Sequence, residues 1–360
     1  MEREHPVIRV GVVGYGYWGP NVVRNFAEVP GCQLVAVSDM RPDRLAAVRS
    51  RYPAVRTYAD PNELVADRRI DAVVIVTPVS THFDLAMQAL KAGKHVLVEK
   101  PLAETVEQAM RLVEEAERRK LVLSVDHTFV YTGAVRKIRE LVSSGSLGDI
   151  YYYDSVRVNL GLFQHDVNVV WDLAVHDLSI MDYVLPIRPC AVSATGIGHV
   201  AGKPEDIAYL TLMFDAPLIA HAHVNWLAPV KMRRTLIGGS RRMIVYDDVE
   251  PSEKIKIFDK GITLNGGNGL KGDGQQLYEL LVGYRTGDML APQLDMTEAL
   301  LREARHFVQC IEGAEEPLAD GQSGLRVVRL LEAATRSMRD RGRVVELDVD
   351  EVDDVERCIA

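Results

Sequence analysis

The sequence predicts an α/β chain in two parts: a doubly wound parallel sheet, followed by an α+β region built on a large, mainly antiparallel open sheet. Three observations carry this. Over the first third of the 360 residues, short apolar runs alternate with helical stretches, the pattern of parallel strands joined by crossover helices. After about residue 130 that alternation stops. From 190 to 258, period-two runs follow one another between Gly, Pro and Asp turns, the pattern of an antiparallel sheet.

The elements follow in order. Residues 7–13 (VIRVGVV) form a buried strand, 19–28 a helix, 33–38 a second strand and 42–51 a helix that Pro42 starts. A short helix covers 61–66. Residues 71–77 (DAVVIVT) are a third strand, and 80–92 a helix stopped by Gly93. A strand at 95–98, an amphipathic helix at 104–119 and a strand at 121–125 complete the first part. A helix at 133–144 and a strand at 150–158 open the second. A helix spans 172–185, alternating strands cover 207–214, 218–226 and 234–246, and two late helices cover 296–312 and 322–340. The expected domains are 1–128 and 129–349, with 350–360 an acidic tail. The Gly-rich stretch 261–275 reads equally as a lid or as a disordered segment.

Composition narrows the function. Lys and Arg number 42 against 51 Asp and Glu, a net charge of −9. That argues against nucleic acid as a partner, which needs a basic footprint. The four cysteines, Cys32, Cys190, Cys310 and Cys358, are scattered and read as reduced thiols of a cytoplasmic protein. No signal-peptide pattern or membrane-length apolar run is present.

The motif with the firmest context is Gly14-x-Gly16-x-x-Gly19, which follows a strand and opens a helix. The first glycine permits the turn, the second lets backbone approach a pyrophosphate, and the third lets helix pack on strand. The helix N-terminus offers free N–H groups to the anion. Asp39 ends the second strand and can accept from a ribose 2′-hydroxyl, which favours NAD. Arg41 could instead meet a 2′-phosphate and keeps NADP open. Tyr15, Tyr17 and Trp18 between the glycines, and Met40 beside Asp39, are counted with the cofactor site.

Thr77-Pro78 follows the third strand and Glu99-Lys100-Pro101 the fourth. Ligands of open α/β sheets bind beyond the carboxyl ends of strands, which places both at the cofactor crevice. Lys100 can donate to a substrate oxygen, though it also reads as a surface Lys before a proline turn. Asp172 and His176 are four apart on one helical face that Ser179 and Tyr183 continue, with Ala174, Leu178, Met181 and Leu185 opposite. A His beside a carboxylate suits general acid/base work. The same stripe also reads as the solvent side of an amphipathic helix. His221 and His223 share a strand face. With no Cys or acidic cluster to match, they read as sheet-surface histidines, as do His165 and His199, so no metal is expected.

The combination GVVGYGYWG, TPVSTH, EKP and WDLAVHD resembles the Gfo/Idh/MocA oxidoreductases, over most of the chain. The resemblance implies that Lys100 contacts nicotinamide ribose and the reacting oxygen. It makes His176 the general acid/base and has Asp172 orient His176 and the substrate. Thr77, Pro78, His82 and Glu99 would line the cofactor crevice, and the open face of the second sheet would form a homodimer or homotetramer. The family's DxGxH has Ala174 at the glycine position here. GYGYWGPN and Tyr284-Arg285-Thr286-Gly287-Asp288 resemble members acting on nucleotide-linked sugars at C3, with Arg285, Arg157 and Asn159 as candidate diphosphate or sugar contacts. The expected reaction is reversible oxidation of a secondary alcohol on a sugar ring. The alternatives are an NADPH-dependent ketoreductase, a free sugar or polyol (inositol-like) dehydrogenase, and a non-catalytic dinucleotide sensor.

Overall fold

The computed structural model describes residues 7–161, 167–264 and 282–347. The chain divides into two compact units. One is 1–133 with 296–332; the other is 134–295 with 333–360.

The first unit holds a six-stranded sheet. Its strands are β1 (Ile8–Val13), β2 (Cys32–Ser38), β3 (Arg56–Tyr58), β4 (Ala72–Ile75), β5 (His95–Glu99) and β6 (Leu123–Asp126). They lie in the order β3-β2-β1-β4-β5-β6, every neighbouring pair parallel. The helices between them are α1 (Gly19–Glu28), α2 (Pro42–Arg51), α3 (Pro61–Ala66), α4 (His82–Lys91) and α5 (Val106–Arg119). Strands covered on both faces become continuous apolar runs, and Ala72–Ile75 is buried throughout. The chain order reverses between β1 and β4, so the carboxyl ends of β1, β2 and β4 open on the crevice such sheets use for ligands.

One sequence expectation changes here. The segment 296–332, predicted to belong with 129–349, is part of the first unit. The reason is a long apolar face on α8 (Ala299–Ile311): Leu300, Ala304, Phe307 and Val308 join the core of β1, β2 and α1. Phe307 meets Phe26 edge to face at 6.3 Å, and Arg24 binds Glu298 at 2.6 Å. The following helix, α9 (Gly321–Arg339), brings Gly321 and Gly324 against Leu123 and Val125, where a Cβ would come within 2.8 and 2.5 Å of those side chains.

The second unit holds a nine-stranded sheet. It comprises β7 (Ile150–Leu160), β8 (Ala191–Ile197), β9 (Ile207–Met213), β10 (Ile219–Asn225), β11 (Leu227–Gly239), β12 (Met243–Asp247), β13 (Ile255–Phe258), β16 (Met289–Leu290) and β17 (Val345–Glu346), while β14 (Gly261–Leu264) and β15 (Val282–Arg285) pair separately. The order is β16-β13-β12-β11-β7-β10-β9-β8-β17. Only β7 and β10 run parallel; the other pairs are antiparallel. The predicted continuous run 234–246 is two strands, because Gly238, Gly239 and Ser240 turn the chain where Tyr152 and Leu147 press on the backbone. Helices α6 (Gly133–Ser143) and α7 (Val175–Val184) complete the described part. One sheet face is buried through Tyr153, Ser155, Arg157, Ala220, Ala222 and Val224. The other carries Tyr209, His221 and His223. The 350–360 tail, His165, Cys358 and residues 265–275 of the Gly-rich stretch lie outside the described residues.

Candidate active site

In the first unit, the turn after β1 gives each glycine a separate task. Gly14 has φ +102°, and a Cβ there would stand 2.4 Å from the Val76 carbonyl oxygen. Gly19 would meet the Gly14 carbonyl at 2.5 Å. Both are needed for the turn and the helix to close. At Gly16 a Cβ would have nothing nearer than Arg44 Nη1 at 3.6 Å, so this glycine leaves open room above the N-terminus of α1. That is the cradle a pyrophosphate needs.

Asp39 is 8% exposed. It accepts from the Tyr15 N–H at 2.8 Å, the Arg41 N–H at 2.9 Å and Arg44 Nη1 at 3.1 Å. A carboxylate has about four acceptor positions, so one further donor, such as a ribose hydroxyl, can be held. These residues fit a dinucleotide. Tyr15 contributes only its amide, because its ring is buried in the β1–α1 core. Tyr17 and Trp18 are exposed and meet edge to face at 5.6 Å, and Met40 is also exposed. The Arg41 guanidinium is turned to Asp43, 2.7 Å away. The cation beside Asp39 is Arg44, which the sequence reading did not single out; its spacing, five residues on in the next helix, was the available signal.

The Thr77 and Pro101 turns are joined by one side chain. His82 is 1% exposed, with Nδ1 2.8 Å from the Pro101 carbonyl and Nε2 2.8 Å from the Thr77 carbonyl. Burial, partly offset by those two carbonyls, holds its pKa below the ordinary histidine value. Its ring is a strap between the turns, with little surface left for a ligand. Thr81 Oγ1 adds a 2.6 Å bond to Thr77 Oγ1. Glu99 ends β5, with Lys100 half-buried directly after it.

In the second unit, Asp172 lies in a π-helical turn, Val170–Ala174, that leads into α7. Such turns recur at functional sites. The turn is set by Asn168, whose Oδ1 accepts from the N–H groups of Val170 and Trp171. The indole N–H of Trp226, itself 1% exposed, donates to Asp172 Oδ2 at 3.0 Å. His176 is half-buried, one turn on, and its carbonyl accepts from Ser179 Oγ at 2.8 Å. The stripe is no solvent face: Asp177 and Ser179 are buried as well as Ala174, Leu178, Met181 and Leu185.

Two expected contacts are placed differently. Arg157 is 2% exposed and grips Asp177 with two bonds, Nε–Oδ2 at 2.8 Å and Nη2–Oδ1 at 3.1 Å. Its guanidinium anchors α7 to β7 from inside, where no sugar can reach it. Asn159, two residues on, is half-buried at the end of β7 nearest Trp226, which caps Gly161 through its carbonyl. Arg285 is at the opposite end of that strand. It donates to Asp259 and to the Arg241 carbonyl, and shares a hollow with Ser146, Tyr151 and Arg242. The eleven residues of β7 span about 33 Å, so Arg285 is not brought together with Asp172 and His176.

Two further histidines of the second unit have structural partners. His199 pairs with the fully buried Asp206 at 2.8 Å, and His223 stacks on Tyr209 at 4.3 Å. Among the described residues no group of three His, Cys, Asp or Glu side chains is placed to hold a metal, and no helix is long and apolar enough to cross a membrane.

A glycine-turn Rossmann sheet with an acid at the end of β2, paired with an α+β unit on a large mixed sheet, defines an NAD-binding oxidoreductase. The chain belongs to the Gfo/Idh/MocA family. Residues 8–127 match its oxidoreductase domain with NAD-binding Rossmann fold, and residues 135–245 match the GFO/IDH/MocA C-terminal domain. Its relatives are named dehydrogenases, and the chain is an NAD(P)-dependent dehydrogenase acting on CH–OH groups. The chain is 28% identical to UDP-N-acetylglucosamine 3-dehydrogenase of Acidithiobacillus ferrooxidans, covering 89% of this chain and 94% of that protein. A crystal structure of that enzyme superimposes with a TM-score of 0.77, over 92% of this chain and 98% of that one, at 25% identity. Myo-inositol 2-dehydrogenase of Thermotoga maritima is 25% identical over 95% of this chain and 99% of its own length.

Proposed function

We propose that this dehydrogenase oxidises a secondary alcohol at C3 of a nucleotide-linked sugar, with NAD as cofactor and Lys100, Asp172 and His176 as its catalytic set. The observation that carries the catalytic part is the held carboxylate. Trp226 and the π turn fix Asp172 one turn before His176. His176 takes the hydroxyl proton, Asp172 orients it, and Lys100 donates to the same oxygen and stabilises the charge that develops there. Bound NAD supplies the acceptor for the hydrogen leaving carbon. Asp39, the Gly14–Gly19 turn and the Thr77-Pro78 and Glu99-Lys100 turns hold that cofactor. NAD is favoured over NADP because Asp39 repels a 2′-phosphate and Arg41 is committed to Asp43.

The nucleotide-sugar reading rests on the relative from Acidithiobacillus, which matches nearly the whole chain. A polyol reading is supported by the inositol relative of equal coverage. Asn159 remains the candidate sugar contact of β7. The sensor reading is disfavoured by the intact Lys100, Asp172 and His176. The open sheet face, with Tyr209, Ile219 and Ile197 exposed, is assigned to pairing with a second copy in a homodimer or homotetramer.

The test follows reduced-cofactor absorbance with NAD or NADP against UDP-N-acetylglucosamine, other UDP- and dTDP-sugars, and free inositols. Turnover on a nucleotide sugar is expected. Turnover on inositols alone would move the assignment to the polyol reading, and cofactor binding without turnover on any of them would favour the sensor.

A further inference from the structure

Helix α8 carries a carboxyl group that the reaction assigned above does not use. Glu303 is 1% exposed, and neither of its oxygens has a hydrogen-bond donor among the described residues. Its neighbours are the Thr128 hydroxyl and the carboxyl of Asp126; Asp126 ends β6, is itself 8% exposed and takes the Thr128 hydroxyl as its own donor. Asp126 stands in register with Glu99 on the adjacent strand β5. Three carboxyl groups therefore gather at the ends of β5 and β6, directly before Lys100.

Two ionised carboxylates in contact inside a protein repel, and the single Thr128 hydroxyl, donated to Asp126, cannot satisfy both. A single proton between them turns the contact into a hydrogen bond and removes one charge. The helix cannot swing Glu303 away. One turn further, His306 Nδ1 is 3.1 Å from the Tyr131 hydroxyl, and Phe307 is locked against Phe26.

We propose that Glu303 is a positioning residue for the Glu99-Lys100-Pro101 turn, holding a proton that it donates to Asp126 and so tying α8 to the end of β6 beside β5. This rests on the assignment of Lys100 to catalysis. Burial first, and then the charge of Asp126, raises the Glu303 pKa well above the usual carboxylate range. The other titratable or charged groups on these elements are His95 and Glu99 on β5 with Lys100 after it, His127 and Tyr131 after β6, and Arg302, Arg305, His306 and Cys310 on α8. When the shared proton leaves, two charges face each other in a dry site, and the strand end that positions Lys100 is pushed from its helix.

A carboxyl whose folded pKa is raised gives stability that is complete below the unfolded value, about 4.3, and is lost as pH rises toward the folded value. Glu303→Gln keeps a donor and cannot titrate; Glu303→Ala removes the donor. The first measurement is the melting temperature of the cofactor-free protein against pH. The wild type should lose stability with rising pH over a range where Glu303→Gln does not. A Gln variant that melts below wild type with the same pH dependence overturns the shared proton.

The second measurement is kcat and KM with NAD and UDP-N-acetylglucosamine. Glu303→Ala should lose about tenfold in kcat, the effect of one lost buried hydrogen bond, with KM for NAD nearly unchanged. In the wild type kcat/KM should fall as pH rises and the shared proton leaves; Glu303→Gln should restore kcat and lack that fall. Equal kcat in the Ala and Gln variants would overturn the positioning role even where melting behaves as expected. A failure of the Lys100 assignment shows separately, as full turnover in Lys100→Ala with the melting result intact.

Discussion

The candidate residues of the first unit and those of the second are held by different materials. Around Gly14, Gly16 and Gly19 the working parts are backbone: N–H groups, a turn with positive φ, and strand ends whose position follows from the parallel sheet. Around Asp172 and His176 the working parts are side chains held by other side chains from distant strands. Trp226 lies 54 residues from the carboxylate it holds, and Arg157 lies 20 from Asp177. A site made of backbone is encoded where it stands. A site made of side-chain partners is encoded wherever the fold returns.

The comparison can be broken or sharpened by substitution. The largest expected effect is at Arg157→Ala, which leaves Asp177 charged and unpaired inside the second unit. Losing one partner of a buried pair costs about 3–5 kcal/mol, read as a lower denaturation midpoint with NAD affinity per folded molecule kept. In the first unit Gly16→Ala should behave oppositely. The added methyl meets open space, so melting should stay near wild type. NAD affinity should fall by about a hundredfold, because the cradle is filled where the pyrophosphate approaches. A Gly16→Ala protein that binds NAD normally would remove this turn from the cofactor site.

Trp226→Phe takes only an N–H from Asp172. About a tenfold loss of turnover is expected, the worth of one hydrogen bond to a charged group, with NAD binding unchanged by isothermal titration. The smallest effect is at His82. Its pKa is depressed in the fold, so the fold favours the neutral ring. The stability this gives is present above the unfolded value of about 6.5 and is lost as pH falls below it. Melting between pH 7 and pH 5 should show this loss in the wild type and a smaller one in His82→Gln.

The same contrast explains what the sequence made legible. Apart from the short strand β3 (Arg56–Tyr58), which the sequence did not reveal, the strands and helices of the first 130 residues stand within two or three residues of their predicted places, because local period and Gly or Pro signals set them. Gly14–Gly19, Asp39 and the Thr77 and Glu99 turns were readable for the same reason. What the sequence concealed was long-range. The return of 296–332 to the first unit depends on which core Phe307 and Leu300 find. The π turn at Val170–Ala174 depends on Asn168 and Trp226. Arg157 looked like a ligand contact because a strand Arg sharing its face with Ser155 and Asn159 gives no hint of the Asp177 that neutralises it. Arg285 looked like one because sequence cannot say which end of β7 it will reach.

The central claim is that His176 performs the acid/base step while the first unit holds the cofactor independently. Its most direct test is His176→Ala, assayed for turnover on the preferred sugar substrate and for NADH binding by fluorescence titration. Turnover should fall by about 10²–10⁴-fold, the usual contribution of a general acid/base, with the NADH dissociation constant unchanged. Unchanged turnover, or a loss explained wholly by weaker NADH binding, would contradict the account.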